Sequence, residues 1–210
     1  MMVKVVSFDL DGTIVERKYT DYFWLEVIPK AYAEEKGIEL NKAKRIVYLK
    51  YDEIGENDLR WYLPDFWLKY LNIRKDLNKL LYKAFRESRP YPYVKPLLSV
   101  LRKKKFKLIL CTNASRDFAI EVLEYLSLKN FFDKIYSCVS DYGLIRKTRS
   151  FYFRVLKDLK VPACLMVHIG DNYVYDYKIP ASIGIKAILI KKPEMLNYLN
   201  LYRKIVSMNI

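Results

Sequence analysis

The spacing of apolar positions changes twice along this chain, dividing it into a short strand, a long helical stretch and an alternating segment. Val3 to Val6 is mostly apolar and β-branched and predicts a buried strand over about 3–9. From Tyr19 to about Ser88 the spacing is helical, with Tyr22, Phe23, Leu25 and Ile28 before a stop at Gly37, then Ile46, Val47, Leu49 and Tyr51, then Leu59 to Leu71, then Leu77 to Phe85. These groups predict a four-helix insert. Arg89-Pro90-Tyr91-Pro92-Tyr93 reads as a stiff connection out of it, because each proline fixes φ. Helices and short apolar strands then alternate: helix 96–104, strand 107–111, helix 116–126, strand 134–138, helix 150–159, strand 163–169, a short helix to 183, strand 186–190 and helix 194–204. Such alternation predicts a parallel sheet covered on both faces, hence an α/β core over 1–16 and 90–210 and a helical domain over 17–89.

Composition sets the context for these elements. With 210 residues and 52% hydrophobic, the chain can bury a sizeable core. It carries 38 Lys and Arg against 24 Asp and Glu, a net +14. That charge favours anionic partners without choosing among phosphorylated metabolites, nucleic acid and acidic surfaces. The run Arg102 to Lys105 reads as a solvated helix end complementing the helix dipole. No apolar stretch is long enough for a membrane span, and the N-terminal apolar run stops at Asp9, too early for a signal peptide, so a cytoplasmic protein is expected. Cys111, Cys138 and Cys164 form no C-x-x-C pair and are expected to be reduced core residues. The absence of Gln beside abundant Lys, Glu, Ile and Tyr fits a thermophilic source.

Open parallel sheets bind ligands beyond the carboxyl ends of their strands, so the polar residues just after each apolar run are the candidates for chemistry. After the first strand come Asp9 and Asp11, which share one face. Two like charges that close need a cation or a proton between them. Gly12 lets the chain turn, and Thr13 is placed to satisfy the amides of that turn. Thr112 and Asn113 follow the strand ending at Cys111; Gly170, Asp171 and Asn172 follow the strand ending at Ile169, with Asp176 beyond; Lys147 opens a helix. Carboxylates, a hydroxyl and an amine converging on one edge predict a cation-plus-phosphate site.

In their order and spacing these residues resemble the haloacid dehalogenase-like hydrolase superfamily. The matching elements are FDLDGTIV, LILCTNAS, Lys147 and HIGDNYVYD, the last as G-D-x-x-x-x-D, and together they span the chain. The resemblance implies a Rossmannoid α/β core whose central parallel sheet is flanked by helices, with the insert as a helical C1 cap. It implies a phosphatase with Asp9 as nucleophile, forming an aspartyl-phosphate, and Asp11 as general acid and base. Mg²⁺ would be held by Asp9, the Asp11 backbone carbonyl and Asp171, with Asn172 and Asp176 supporting it from behind. Thr112, amides near Asn113, and Lys147 would hold the phosphoryl oxygens. An aspartate at position 11 favours phosphate transfer over the 2-haloacid dehalogenase reaction, which needs neither that acid nor a metal. Phosphomutase chemistry uses the same motifs and remains open.

The chain departs from the family pattern where Thr148 stands in place of the usual proline after the lysine. Arg146 and Arg149 flank Lys147 and compete with it for the role, while Phe153 falls where the family buries an aromatic. Pro180 is expected to delay or bend the helix after Asp176, and His168 reads as a hydrogen-bonded core histidine. In the insert, Tyr22, Phe23, Trp24, Tyr51, Trp61, Tyr62, Phe66, Trp67 and Tyr70 are expected mostly to pack the bundle, with Lys50, Arg60 and Lys69 as polar groups able to meet substrate on closure. A helical lid suits a small phosphorylated metabolite. The rivals are a polynucleotide-end phosphatase and a basic nucleic-acid-binding protein, the latter having no use for both aspartates. Oligomeric state is not legible.

Overall fold

The computed structural model describes residues 4–208. Strand β1 (Val5–Phe8) leads into a helical stretch that opens with α1 (Lys18–Tyr22), a π-helical turn (Phe23–Val27) and α2 (Ile28–Lys36), continuous in backbone and ended by Gly37 at φ 61°. Gly tolerates that left-handed angle without a Cβ penalty. Next come α3 (Leu40–Ile54), a 3₁₀ turn (Leu59–Tyr62), α4 (Pro64–Tyr70) and α5 (Leu77–Phe85). The helix expected over 59–71 is therefore split. Pro64 takes the first position of α4, where its missing N–H costs nothing, and the preceding residue is extended.

Two compact units result, one of residues up to Glu16 together with Arg89 onward, the other Arg17–Ser88. The helical unit closes on its own core of buried Tyr19, Phe23, Val27, Val47, Trp67 and Phe85. Tyr51 and Trp67 meet edge to face at 4.6 Å, a favoured aromatic geometry. Tyr22 and Tyr70 stay exposed. Lys50 is paired with Glu53 and Arg60 with Asp58, both local contacts.

In the α/β unit the order is α6 (Val94–Lys103), β2 (Lys107–Thr112), α7 (Arg116–Tyr125), β3 (Lys134–Ser137), α8 (Cys138–Tyr142), α9 (Arg149–Leu159), β4 (Met166–Gly170), α10 (Ile179–Ala181), β5 (Lys186–Leu189) and α11 (Tyr198–Ser207). All strand pairs among the described residues are parallel, in the order β3-β2-β1-β4-β5. The spacing predicts neither α8 nor the 3₁₀ turns at 163–165 and 193–195, and strand 163–169 begins only at Met166. Between Asp171 and α10 the chain forms a π-helical segment, Tyr173–Lys178, and Pro180 sits at the start of α10, so the expected bend takes the form of a widened turn. Val3, assigned to the first strand by its pattern, lies outside the described residues.

β1 is central, and its residues alternate between two covered faces. Val5 joins Ile109, Cys111, Phe151, Tyr152, Val155 and Met166 in one hydrophobic cluster, so α9 covers this face. By the same alternation Ser7, Asp9, His168 and Gly170 lie on the α9 side. Phe151 and Tyr152 are the buried aromatics of α9, whereas Phe153 is 55% exposed, contrary to expectation. Phe151, Tyr152 and Val155 form the stripe that faces the sheet, and Phe153 lies on the opposite, solvent-facing side of the helix. Cys111 and Cys138 are buried free thiols, but Cys164 is exposed, on the 3₁₀ turn ahead of β4.

Candidate active site

β1 lies between β2 and β4, so the connections from its carboxyl end and theirs diverge around a crevice. Gly12, at φ 83°, begins the turn out of β1, and its N–H donates to the Val15 carbonyl. Thr13 plays a different part from the one expected. The turn's amides are satisfied by backbone carbonyls, while the buried Thr13 hydroxyl has no hydrogen-bond partner among the described residues.

Lys147 arrives on the α9 face just ahead of that helix and is 1% exposed. Its ammonium pairs with Asp9 and, at 2.5 Å, with Asp176, and donates to the Cys111 carbonyl at 3.1 Å. The Asn113 side-chain oxygen accepts from the Lys147 backbone N–H at 2.9 Å, tying the end of β2 to this lysine. Of Arg146, Lys147 and Arg149, it is the lysine that reaches Asp9. Arg149 donates to Ser182, and Arg146 lies over the Tyr175 ring.

Behind the ammonium runs a buried polar column. Asp176 accepts from the Asn172 backbone N–H at 3.0 Å, and the Asn172 side chain caps the following turn by accepting from Val174 and Tyr175. His168 Nε2 lies 3.1 Å from Asp176, and His168 Nδ1 lies 2.8 Å from the Ser7 hydroxyl. With Nε2 donating to the carboxylate, Nδ1 accepts from Ser7, so the ring is the neutral tautomer. Burial pushes the His168 pKa down, against the pull of Asp176, and agrees with that form. The histidine is thus a hydrogen-bonded core residue.

Gly170 has a steric reason to be glycine. A Cβ there would lie 2.4 Å from the Asp176 side chain, far inside van der Waals contact, so the carboxylate occupies the space the glycine leaves. Ser7 and the Cys111 carbonyl belong to this site although no motif singles them out. The only trace in the sequence is a polar residue within each of two apolar strands, Ser7 and His168, which the structure sets side by side.

Electrostatics divides the carboxylates. Burial raises the Asp9 pKa well above the usual range, with Asp176 and Asp11 adding to the rise and Lys147 opposing it. Burial also acts on Asp176, but there the ammonium and the His168 hydrogen bond win and hold the group well below its ordinary value. Lys147 is pushed up by the two carboxylates despite its burial. Asp9, Asp171 and Asp176 bring oxygens within 4.8 Å of one another. Three converging carboxylates form an all-oxygen donor set, which suits a hard divalent cation. Thr112 is buried at the end of β2, its hydroxyl oxygen accepting from the Ala114 N–H at 3.0 Å.

A family model described as haloacid dehalogenase-like hydrolase matches residues 3–184. The chain belongs to this family. Its relatives are of the phosphatase type: it is 24% identical over 170 residues to the GMP/IMP nucleotidase YrfG of Escherichia coli, covering 81% of this chain and 75% of that one. It is 27% identical over 152 residues to the phosphoglycolate phosphatase of Aquifex aeolicus, covering 63% and 60%. Among solved structures, a haloacid dehalogenase-like phosphatase from Thermococcus onnurineus superposes over 100% of both chains at TM-score 0.78 and 21% identity. The 2-haloacid dehalogenase of Pseudomonas syringae gives 0.64 at 21% identity over 98% of this chain and 99% of that one, so the fold is shared by both chemistries.

Two substitutions test the charge balance. Lys147→Met leaves buried carboxylates without their counter-ion and is expected to cost about 3–5 kcal/mol, whereas Asp9→Asn relieves crowding and raises Tm in metal-free protein. Thermal and denaturant unfolding check both, and equal destabilisation by the two would contradict the assignment. Gly170→Ala forces Asp176 aside and is expected to lose about 2 kcal/mol or more, read in the same way.

Proposed function

We propose that the protein is a Mg²⁺-dependent phosphatase acting on a small phosphorylated metabolite through an aspartyl-phosphate on Asp9. The observation that carries this reading is the buried Asp9 carboxylate held by Lys147, two residues before Asp11 and within reach of Asp171. The relatives named for nucleotide and phosphoglycolate hydrolysis support the substrate class. The free thiols of Cys111 and Cys138 suit a reducing cytoplasm.

Asp9, Asp171 and the Asp11 carbonyl would hold Mg²⁺, which when bound would supply charge neutralisation at the phosphate. Lys147 fixes Oδ1 of Asp9, and the carboxylate attacks phosphorus as the ester bond to the leaving alcohol breaks. Asp11 gives its proton to the leaving oxygen. Asp11, now a carboxylate, takes a proton from water, which attacks phosphorus and releases phosphate and free Asp9. Lys147 and the Thr112 hydroxyl stabilise charge on the phosphoryl oxygens, and preorganisation is strong because the lysine is already desolvated and locked. Asn113 acts through its hold on the Lys147 backbone, and Asp176 through its pairing with the ammonium.

Release of phosphate from a panel of phosphorylated sugars, glycolate and nucleosides, with and without Mg²⁺, tests this directly. Turnover that requires the metal and falls about a thousandfold or more in Asp9→Asn is expected. Full activity of Asp9→Asn, or turnover indifferent to chelation, would remove the proposal.

A further inference from the structure

The helical unit contains a cavity of about 520 Å³ whose chemistry is opposite to that of the aspartate site. Its walls are aromatic: Trp24 from the π-helical turn, Tyr48 and Tyr51 from α3, Trp61 from the 3₁₀ turn and Trp67 from α4. The rings brace one another, Tyr51 meeting Trp24 at 6.0 Å, Trp61 at 5.7 Å and Trp67 at 4.6 Å between centroids. Their polar tips are turned to the backbone. Tyr51 donates to the Trp24 carbonyl, Tyr48 to the Leu25 carbonyl and the Trp67 indole N–H to the Trp61 carbonyl. Tyr51 and Trp67 are buried by this bracing, so what the cavity offers a guest is the half-buried ring surface of Trp24, Tyr48 and Trp61.

The charged residues lining the cavity are Asp21 and Asp52, both exposed and neither held by an ion pair among the described residues. Among the described residues no lysine or arginine lines it, although the chain carries 38 of them. Ring faces carry negative quadrupole potential, and two carboxylates add to it. Such a site repels a phosphate and attracts a cation with an apolar body, the combination used to recognise alkylated ammonium groups. Its volume is in the range of small-molecule sites.

We propose that this cavity binds an organic cation, an ammonium bearing apolar substituents, by cation–π contact with the half-buried rings of Trp24, Tyr48 and Trp61 and by attraction to Asp21 and Asp52. This proposal does not rest on the phosphatase reading, since binding can be measured without turnover.

Trp24, Trp61 and Trp67 are the chain's 3 tryptophans, so intrinsic tryptophan fluorescence reports this cavity alone. The full chain, free of metal, is titrated with choline and with its neutral isostere 3,3-dimethylbutan-1-ol. A saturable change with choline, weaker by about tenfold or more with the isostere and in Asp21→Asn/Asp52→Asn, is expected. Both aspartates are exposed, so the variant is expected to fold, and its circular dichroism is compared with that of the wild type. No saturable change with choline, equal affinity for the neutral isostere, or an unaltered affinity in the folded double variant would each overturn the proposal.

Discussion

A fully desolvated ammonium at the carboxyl end of a parallel sheet is the feature on which the rest of the α/β unit depends. Lys147 is tolerable in the interior because carboxylates compensate it, and the buried carboxylates of Asp9 and Asp176 are tolerable only because it does. This reciprocity explains why so many neighbouring positions are constrained. Gly170 makes room for Asp176, Asn172 and His168 hold it, Ser7 completes the histidine, and Asn113 fixes the backbone that carries the lysine. Asp171 brings a third carboxylate to the same place. Carboxylates crowded in a low-dielectric pocket are poor for stability and are retained where a function needs them.

Much of this is legible in the residues, for a physical reason. Parallel strands bury both faces, so any polar residue near their ends stands out against an apolar run, as Asp9, Thr112 and Asp171 do. The order of strands and helices in the α/β unit follows from the change in period. What escapes is what local pattern does not encode. Position after Lys147 assigns Phe153 a buried place, but burial on α9 follows the stripe of Phe151, Tyr152 and Val155. Proximity gives Thr13 the turn's amides, which backbone carbonyls satisfy instead. Cys164, expected in the core with the other thiols, lies exposed on a turn. The link from Ser7 through His168 to Asp176 needs the register between β1 and β4, which no single strand reveals.

The two units divide the electrostatics of the chain. A net charge of +14 would suggest a generally phosphate-loving surface, but charge is local. The aspartate site concentrates carboxylates around one lysine, and the aromatic cavity of the helical unit carries acids and, among the described residues, no bases. Aromatic residues that spacing alone assigns to bundle packing thus do two things at once: Trp67 is buried in the unit's core and also walls the cavity.

The residue that carries phosphate during turnover is the point on which the chemistry of the aspartate site turns. Enzyme quenched in acid while hydrolysing a substrate, then reduced with borohydride, converts an aspartyl-phosphate to homoserine that peptide mass spectrometry can locate. Homoserine at Asp9 is the predicted result. Homoserine at Asp11 or another carboxylate, or none at any position in enzyme sampled throughout steady turnover, would contradict it.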